Sequence, residues 1–248
     1  MNAYILITGA SGGLGKSLAK KLKAKGLQLA LVSRIEAKIS SLGQELDALA
    51  IEADISTPEG AEASLLACIA RFGNPPSGLA LCAGNTLIAP LHRTKPEQFR
   101  DCLSANLDTA YYTLQAYINQ CLEYDQPGSA VLVSSVVARI GVVNHEAIAA
   151  CKGAIEALTR SAAATYAPKG IRVNAIAPGL MRSPLTERLF GVNAEKQIAA
   201  QYPLGRYGSV DDGSEAICWL LSDNSAWVTG QIFPIDGGFT AIRPMVRA

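Results

Sequence analysis

The segment ILITGASGGLGKSLAKKL, residues 5–22, decides the fold. It begins as an apolar run typical of a buried strand and continues as a helix after a cluster of glycines. Gly9, Gly13 and Gly15 permit a tight turn there and let backbone amides approach a pyrophosphate, whose charge the helix N-terminus stabilises. A turn that only packs a strand against a helix is the alternative, but the position at the first strand of an alternating chain favours a dinucleotide site.

Six further apolar runs alternate with segments of helical length along the rest of the chain. They are LQLALVS, ALAIEAD, GLALCAG, SAVLVSS, IRVNAIAP and QIFPIDGG. Together with the first run they predict an α/β protein with a Rossmann-type, doubly wound, seven-stranded parallel sheet and helices on both faces. We expect one domain over residues 1–248, with a weakly periodic insertion at about 180–213 that covers the substrate.

Composition narrows the classes of partner. The 248 residues are 49% hydrophobic and 17% charged, which describes one compact domain with ample core. A formal net charge of +1 and the lack of any Lys/Arg run argue against binding to nucleic acid or to an anionic membrane. We therefore expect a small-molecule partner and, because no signal or transit peptide is recognisable, a cytoplasmic location.

The cysteines and histidines give no indication of a metal centre. Six cysteines are scattered without CxxC spacing, and the chain has only two histidines. This usage is typical of reduced thiols, most of them in the core, rather than of disulfides or ligands. The sequence therefore predicts no metal site.

The second predicted strand ends in LVSR, and this ending bears on the choice of dinucleotide. An NAD site usually places a carboxylate near this point, where it accepts hydrogen bonds from the ribose. Here Ser33 and Arg34 stand instead, and a guanidinium beside a hydroxyl suits a 2′-phosphate. The sequence therefore favours NADP(H) over NAD(H), with an Arg34 that merely begins a solvated loop as the alternative.

The motifs taken together resemble those of the short-chain dehydrogenase/reductase family, classical type, over nearly the whole chain. Residues 8–15 match the family's TGxxxGxG, LCAG at residues 81–84 is similar to its NNAG, and VTGQIFPIDGG resembles its C-terminal signature. In particular, the chain resembles the 3-oxoacyl-acyl-carrier-protein reductase-like members. The predicted cofactor-binding residues are Thr8, Gly9, Ser11, Gly12, Gly13, Leu14, Gly15, Ser33, Arg34, Asp54, Ile55, Cys82, Ala83, Gly84, Lys152, Pro178, Gly179 and Ser183.

The resemblance also implies a reaction, namely hydride transfer between the nicotinamide and a carbonyl or alcohol carbon. In that family a serine orients the substrate oxygen, a lysine holds the nicotinamide ribose, and a tyrosine donates or accepts the proton. Ser135, Lys152 and Asn106 match the family's active-site residues. The position that corresponds to the tyrosine, thirteen residues after Ser135 and four before Lys152, is Ile148. Loss of a positioned proton donor typically removes roughly 10²–10⁴-fold of rate.

His145 is the candidate replacement for the missing acid. Residues 145, 148 and 152 are spaced i, i+3, i+7, so on a helix they share one face. Against this role, a helix N-terminus disfavours the cationic form of an imidazole. In the alternative interpretation, Asn144 caps the helix and His145 merely borders the cleft.

Two functions from different classes remain open on this sequence. The first is an NADP(H)-dependent oxidoreductase whose proton comes from His145, from water relayed through Lys152, or from the substrate. The second is a nucleotide-binding protein with weak or no turnover, acting in sensing or assembly; a lyase or isomerase is less favoured. The apolar residues of the insertion suggest an apolar or acyl-like carbonyl or alcohol substrate. The resemblance implies a homotetramer, or else a homodimer, formed through the helix that carries Lys152 and through the C-terminal segment.

Overall fold

A seven-stranded parallel sheet forms the centre of the molecule. The computed structural model describes residues 3–191 and 194–243. Its strands are β1 Tyr4–Thr8, β2 Gln28–Ser33, β3 Leu49–Glu52, β4 Gly78–Leu81, β5 Gly128–Val133, β6 Ile171–Pro178, β7 Met181–Arg182, β8 Gly208–Ser209 and β9 Ile232–Ile235. The main sheet has the order β3-β2-β1-β4-β5-β6-β9, while β7 and β8 pair separately. Each of the seven predicted strands is present, which confirms the predicted fold class.

Helices cover both faces of this sheet, as a doubly wound fold requires. They are α1 Gly13–Ala24, α2 Glu36–Leu46, α3 Pro58–Phe72, α4 Pro96–Leu103, α5 Thr109–Glu123, α6 Glu146–Tyr166, α7 Ala194–Ala199 and α8 Val210–Leu221. Buried residues of α1, α2 and α8 form one hydrophobic cluster, and those of α3, α5 and α6 form another. No helix within the described ranges combines the length and the apolar character needed to cross a bilayer.

The pleat of the strands explains why their sequences are continuously apolar. All five residues of β1 are buried. Tyr4 and Leu6 belong to one cluster and Ile5 and Ile7 to the other, because successive side chains of a strand point to opposite faces. A strand buried on both faces gains from apolar residues at every position rather than at alternate ones.

The order of the strands places a crevice above the carboxyl ends of β1 and β4. These neighbours pair in parallel, with Thr8 opposite Leu81. From β1 the chain continues through α1 to β2 on one side, and from β4 it continues through α4 and α5 to β5 on the other. Ligands of open α/β sheets bind at such a reversal of strand order.

Residues 180–213 carry short elements of their own above this crevice. They include the β7–β8 pair, a 3₁₀ turn at Glu187–Leu189, α7 and the beginning of α8. The Tyr202 hydroxyl accepts a hydrogen bond from the Leu180 amide at 2.8 Å, which ties the two ends of the segment together. On the crevice side the segment reaches α1, because a Cβ on Gly13 would lie 3.1 Å from the Ser183 Cβ.

Candidate active site

The turn between β1 and α1 is pressed against the end of β4. Gly9 has φ +60°, and a Cβ built on it would lie 2.7 Å from the Ala83 Cα and N atoms. A Cβ on Gly15 would lie 2.5 Å from the Gly9 carbonyl oxygen. Gly12 precedes α1 without a side-chain cap, so the first amides of the helix face the crevice. Glycines thus keep open a cradle of amides that suits the pyrophosphate of a dinucleotide.

The end of β2 presents a hydroxyl and a cation beside this turn, which contributes the hydroxyl of Ser11. The Ser11 and Ser33 hydroxyl oxygens are 2.8 Å apart, and Arg34 is exposed. Among the described residues, Arg34 has no carboxylate within ion-pair distance. Hydrogen bonds from Ser56 hold the pKa of the nearby Asp54 carboxyl below its usual range, with a smaller contribution from Arg34. The guanidinium is therefore free to bind an anion at the mouth of the crevice.

The other predicted cofactor residues lie on the loops and element ends around the crevice. Ile55 is buried directly after Asp54, and the Ala83 amide donates to the Thr8 hydroxyl at 3.4 Å. Burial raises the pKa of the Cys82 thiol to about 12. Pro178 ends β6, and Gly179 continues from it by donating its amide to the Ile235 carbonyl at 3.0 Å. Leu14 lies at the first turn of α1, where a Cβ on Gly213 would be 3.1 Å from its Cδ1.

Lys152 extends from α6 to the end of β5. It is 7% exposed, and its Nζ donates a hydrogen bond to the Val133 carbonyl oxygen at 2.8 Å. Burial lowers the pKa of Lys152 to about 8, because a buried ammonium loses its hydration. At physiological pH both the protonated and the neutral form of the amine are therefore populated.

Asn106 faces the same point from the opposite side. It lies in a π-helical turn, Ser104–Asp108, a distortion that is frequent at functional sites. Its Nδ2 donates to the Asn85 Oδ1 at 2.8 Å and to the Cys102 carbonyl at 2.9 Å, so both amide protons are used. Its buried Oδ1 has no hydrogen-bond partner among the described residues. Such an atom costs about 1–3 kcal/mol unless a water or a ligand donates to it.

Gly84 separates the Asn106 oxygen from the Lys152 amine. A Cβ on Gly84 would lie 2.7 Å from the Asn106 Oδ1 and 3.6 Å from the Lys152 Nζ. An unused acceptor and a buried donor thus border the same small space. A group that reaches both atoms must donate to the oxygen and accept from the amine, as a water or a ribose hydroxyl does.

Ser135 follows β5 and begins the 3₁₀ turn Val136–Ala138. Its Oγ accepts a hydrogen bond from the Val137 amide at 3.4 Å. The side chain is half-buried. The hydroxyl proton therefore remains available for a substrate oxygen.

Ile148 is closed off from solvent. It is 3% exposed and forms a buried cluster with Cys102 and Cys151. Leu87, Leu103 and Val137 pack around this cluster. The position that the resemblance assigns to a tyrosine is thus an apolar contact between α6 and α4.

His145 stands at the start of α6, and the predicted helix cap is wrong. Asn144 does not cap α6; it has φ +63°, a left-handed conformation that asparagine tolerates, and turns the chain into the helix. His145 is the N-cap residue and makes no side-chain capping bond. Its Nδ1 lies 2.7 Å from the Val143 carbonyl oxygen, so this nitrogen donates and Nε2 is the one left for other partners. Within the described part of the chain, His145 has no hydrogen bond to Ser135 or Lys152.

The cysteines around the site are free and mostly buried. All six cysteines are free thiols, and five of them are buried, as predicted for residues of the core. In residues 3–191 and 194–243 no three His, Cys, Asp or Glu side chains lie in a metal-binding group.

The sequence analysis did not predict two residues near the site. Asn85 orients Asn106, and Glu156 is a buried carboxylate one turn after Lys152. Asn85 could have been noticed only from its place after LCAG.

The glycine cradle, the strand order and the Lys152–Asn106 pair define a dinucleotide-binding protein of the Rossmann type. A family profile described as enoyl-(acyl carrier protein) reductase matches residues 9–240. The chain belongs to the short-chain dehydrogenase/reductase family and is an NAD(P)-dependent oxidoreductase of that type, as the sequence motifs predict.

Individual relatives span nearly the whole chain. The chain is 31% identical over 244 residues to the 3-oxoacyl-[acyl-carrier-protein] reductase FabG of Staphylococcus aureus, covering 96% of this chain and 98% of the relative. It is 34% identical over 232 residues to an inactive 2-(S)-hydroxypropyl-CoM dehydrogenase of Xanthobacter autotrophicus, covering 91% and 100%. A solved structure, ElxO with NADP bound, matches with a TM-score of 0.90 at 25% identity, covering 98% of this chain and 100% of that one.

The depressed pKa of Lys152 predicts a rise in stability with pH. Its folded pKa of about 8 lies below the usual 10.5, so between these values the unfolded chain binds more protons than the folded one. Stability should therefore increase as pH rises through this window, by about 2 kcal/mol between pH 7 and 9.5. Urea unfolding at both pH values, with Lys152→Met as the reference for all other groups, measures the gain. An equal change in both proteins would contradict the depressed pKa.

Proposed function

We propose that this protein interconverts a carbonyl and an alcohol with NADP(H), and that the proton passes through Lys152 and an ordered water. The observation that carries this proposal is that the Lys152 amine and the Asn106 oxygen, which has no partner among the described residues, both lie beside Gly84. The burial of Ile148 in an apolar cluster also supports a proton route through Lys152, because the side chain at position 148 cannot donate a proton. The water beside Gly84 takes over the transfer.

The chain's own residues supply what the reaction needs. When bound, the nicotinamide accepts or delivers hydride at the substrate carbon. Ser135 donates its hydroxyl proton to the substrate oxygen and so stabilises the charge that develops there. The Val133 carbonyl fixes the Lys152 amine, whose pKa of about 8 suits proton donation near neutral pH. Asn106 holds the relaying water through its free oxygen.

A binding protein with weak or no turnover is the second candidate. It is favoured by the sealed Ile148, since a nucleotide binder needs the ribose contact of Lys152 but not a proton donor. The Xanthobacter relative, whose name calls it inactive, is consistent with a family member that has lost turnover. His145 as the proton donor stays a prediction, with its Nε2 as the atom that would donate.

The insertion at about 180–213 is proposed to be a lid over an apolar or acyl-like substrate. Leu185 is 49% exposed on this segment, and Val143 is 81% exposed on the loop before α6. Leu87 and Val137 line the apolar contact around Ile148. Apolar side chains on both sides of the crevice favour a substrate with a hydrocarbon portion. We also propose that the chain forms one domain that functions in the cytoplasm.

NADP(H) is the proposed cofactor, and Arg34 provides the test. The Arg34 guanidinium, which has no ion-pair partner among the described residues, can bind a 2′-phosphate together with the Ser11 and Ser33 hydroxyls, and the ElxO structure carries NADP. NADPH should bind at least about tenfold more tightly than NADH, because a charged hydrogen bond contributes about 1.5–3 kcal/mol. Arg34→Ala should abolish this difference in calorimetry. Arg71→Ala, at the far end of α3, should preserve it, and equal affinities in the unmutated protein would refute the proposal.

A homotetramer is the proposed assembly, with a homodimer as the alternative. Trp227 is fully exposed and Trp219 on α8 is 40% exposed, beside edge strand β9. Exposed aromatic residues at a sheet edge are typical of a protein interface. Light scattering at micromolar concentration should give four times the mass of one chain. A monomeric mass would contradict both assemblies, and Trp227→Ser should lower the observed mass.

Ile148→Tyr tests whether the remaining residues are arranged for carbonyl reduction. A phenol one helical turn before Lys152 should raise NADPH-dependent turnover of simple ketones or acetoacetyl thioesters by about tenfold or more, which is about 1.4 kcal/mol of barrier. Ile148→Phe is the matched control, since it adds nearly the same volume without the hydroxyl. Overpacking of the buried cluster should cost both variants about 1–3 kcal/mol of stability. An equal gain in Ile148→Phe would exclude an effect of the phenol proton.

His145→Ala and a pH profile separate the possible proton sources. If Lys152 relays the proton, His145→Ala should keep the full rate, and reduction should slow above about pH 8 as Lys152 deprotonates. A loss of more than about tenfold in His145→Ala would instead identify the imidazole as the donor. If neither the unmutated protein nor Ile148→Tyr turns over while NADPH still binds, the binding-protein candidate replaces the enzyme.

A further inference from the structure

Glu156 is a buried carboxylate that the proposed reaction does not use. It lies on α6 one helical turn after Lys152 and is 8% exposed. Its Oε1 accepts hydrogen bonds from the Arg139 Nε at 2.9 Å and from the Ser134 hydroxyl at 3.2 Å. A carboxylate at this depth is retained only where such donors replace its lost hydration. Its partners therefore indicate what it holds in place.

Arg139 closes the turn that Ser135 opens. The Arg139 amide donates to the Val136 carbonyl at 2.9 Å, and the Ala138 amide donates to the Ser135 carbonyl at 3.1 Å. The Arg139 side chain also donates through Nη2 to the Ile232 carbonyl on β9 at 3.1 Å. One guanidinium thus fastens the end of this turn to both α6 and the edge of the sheet.

Ser134 makes a second link between the same two elements. Its Oγ lies 3.2 Å from the Glu156 Oε1 and 3.2 Å from the Lys152 carbonyl oxygen. The residue immediately before Ser135 is therefore tied to the backbone of Lys152. Both ends of the Ser135 turn, residues 134 and 139, meet the helix through Glu156.

We propose that Glu156 and Arg139 are positioning residues that fix the Ser135 hydroxyl relative to the Lys152 amine. The role rests on the proposed function, in which Ser135 and Lys152 act on the same substrate oxygen. Neither residue touches that oxygen; both act through the turn. The arrangement keeps the geometry rigid where a phenol is not available to link serine and lysine through one substrate contact.

Hydrogen exchange of the turn amides tests this role without requiring turnover. Arg139→Met and Glu156→Gln should each speed exchange in a peptide spanning residues 134–142 by roughly tenfold, while peptides from β1 and α1 stay unchanged. Arg160→Met is the matched control. Its guanidinium is 3.8 Å from the Glu156 Oε2 but its side chain is 57% exposed, and among the described residues it has no hydrogen bond or ion pair to the turn, so exchange should stay as in the unmutated protein.

The double variant Arg139→Met/Glu156→Met separates positioning from stability. Apolar replacement of both partners leaves no unpaired carboxylate in the interior, so faster exchange confined to residues 134–142 at an unchanged melting temperature would support the proposal. Exchange that rises throughout the chain, in step with a lower melting temperature in every variant, would overturn it.

Turnover adds a second readout. If the unmutated protein reduces a ketone, kcat should fall by about tenfold in Glu156→Gln with the NADPH dissociation constant changed less than about twofold. An unchanged kcat despite faster local exchange would also overturn the positioning role. Absence of turnover in the unmutated protein would count against the proposed function alone, because the exchange result stands independently.

Discussion

The approach of Gly9 to the end of β4 is the contact on which the rest of the site depends. Backbone meets backbone there, since a Cβ on Gly9 would lie 2.7 Å from the Ala83 Cα. This closeness brings the amides of α1 and the loop after β4 to one crevice. It also sets the position of Gly84, and with it the gap between Asn106 and Lys152. A side chain at Gly9 would therefore displace the backbone at Cys82 and Ala83, and with it Gly84.

The Lys152 amine is buried and has no carboxylate within ion-pair distance among the described residues. Lys152 donates to one carbonyl oxygen, and desolvation by burial lowers its pKa to about 8. Ile148 contributes an apolar environment, because it packs on Cys102 and Cys151 beside the lysine. An aliphatic residue at this position therefore has a physical consequence: it keeps this part of α6 apolar and places no proton donor beside Lys152.

Hydrogen bonds of charged side chains, rather than apolar packing, hold the turn that contains Ser135. The Arg139–Glu156 pair joins the Ser135 turn, α6 and β9, three elements that are distant in sequence. Ion pairs of this kind add little stability when their desolvation is included, but their fixed directions select one geometry. The apolar cluster at Ile148 and the ionic network at Glu156 thus lie along one helix, on either side of Lys152.

The sequence by itself determined the strands, the parallel sheet and the family, because continuous apolar runs and glycine spacing report local backbone requirements. Ser33 and Arg34 were likewise readable from the end of β2. Only the tertiary structure decided that Ile148 is sealed, that Asn106 has an unpartnered oxygen and that Glu156 ties Ser134 to Arg139. The helix cap at Asn144 was mispredicted for the same reason, since its left-handed backbone depends on how the preceding loop meets α6. Those features arise from contacts between residues far apart in the chain, and no local pattern records which side chains will meet.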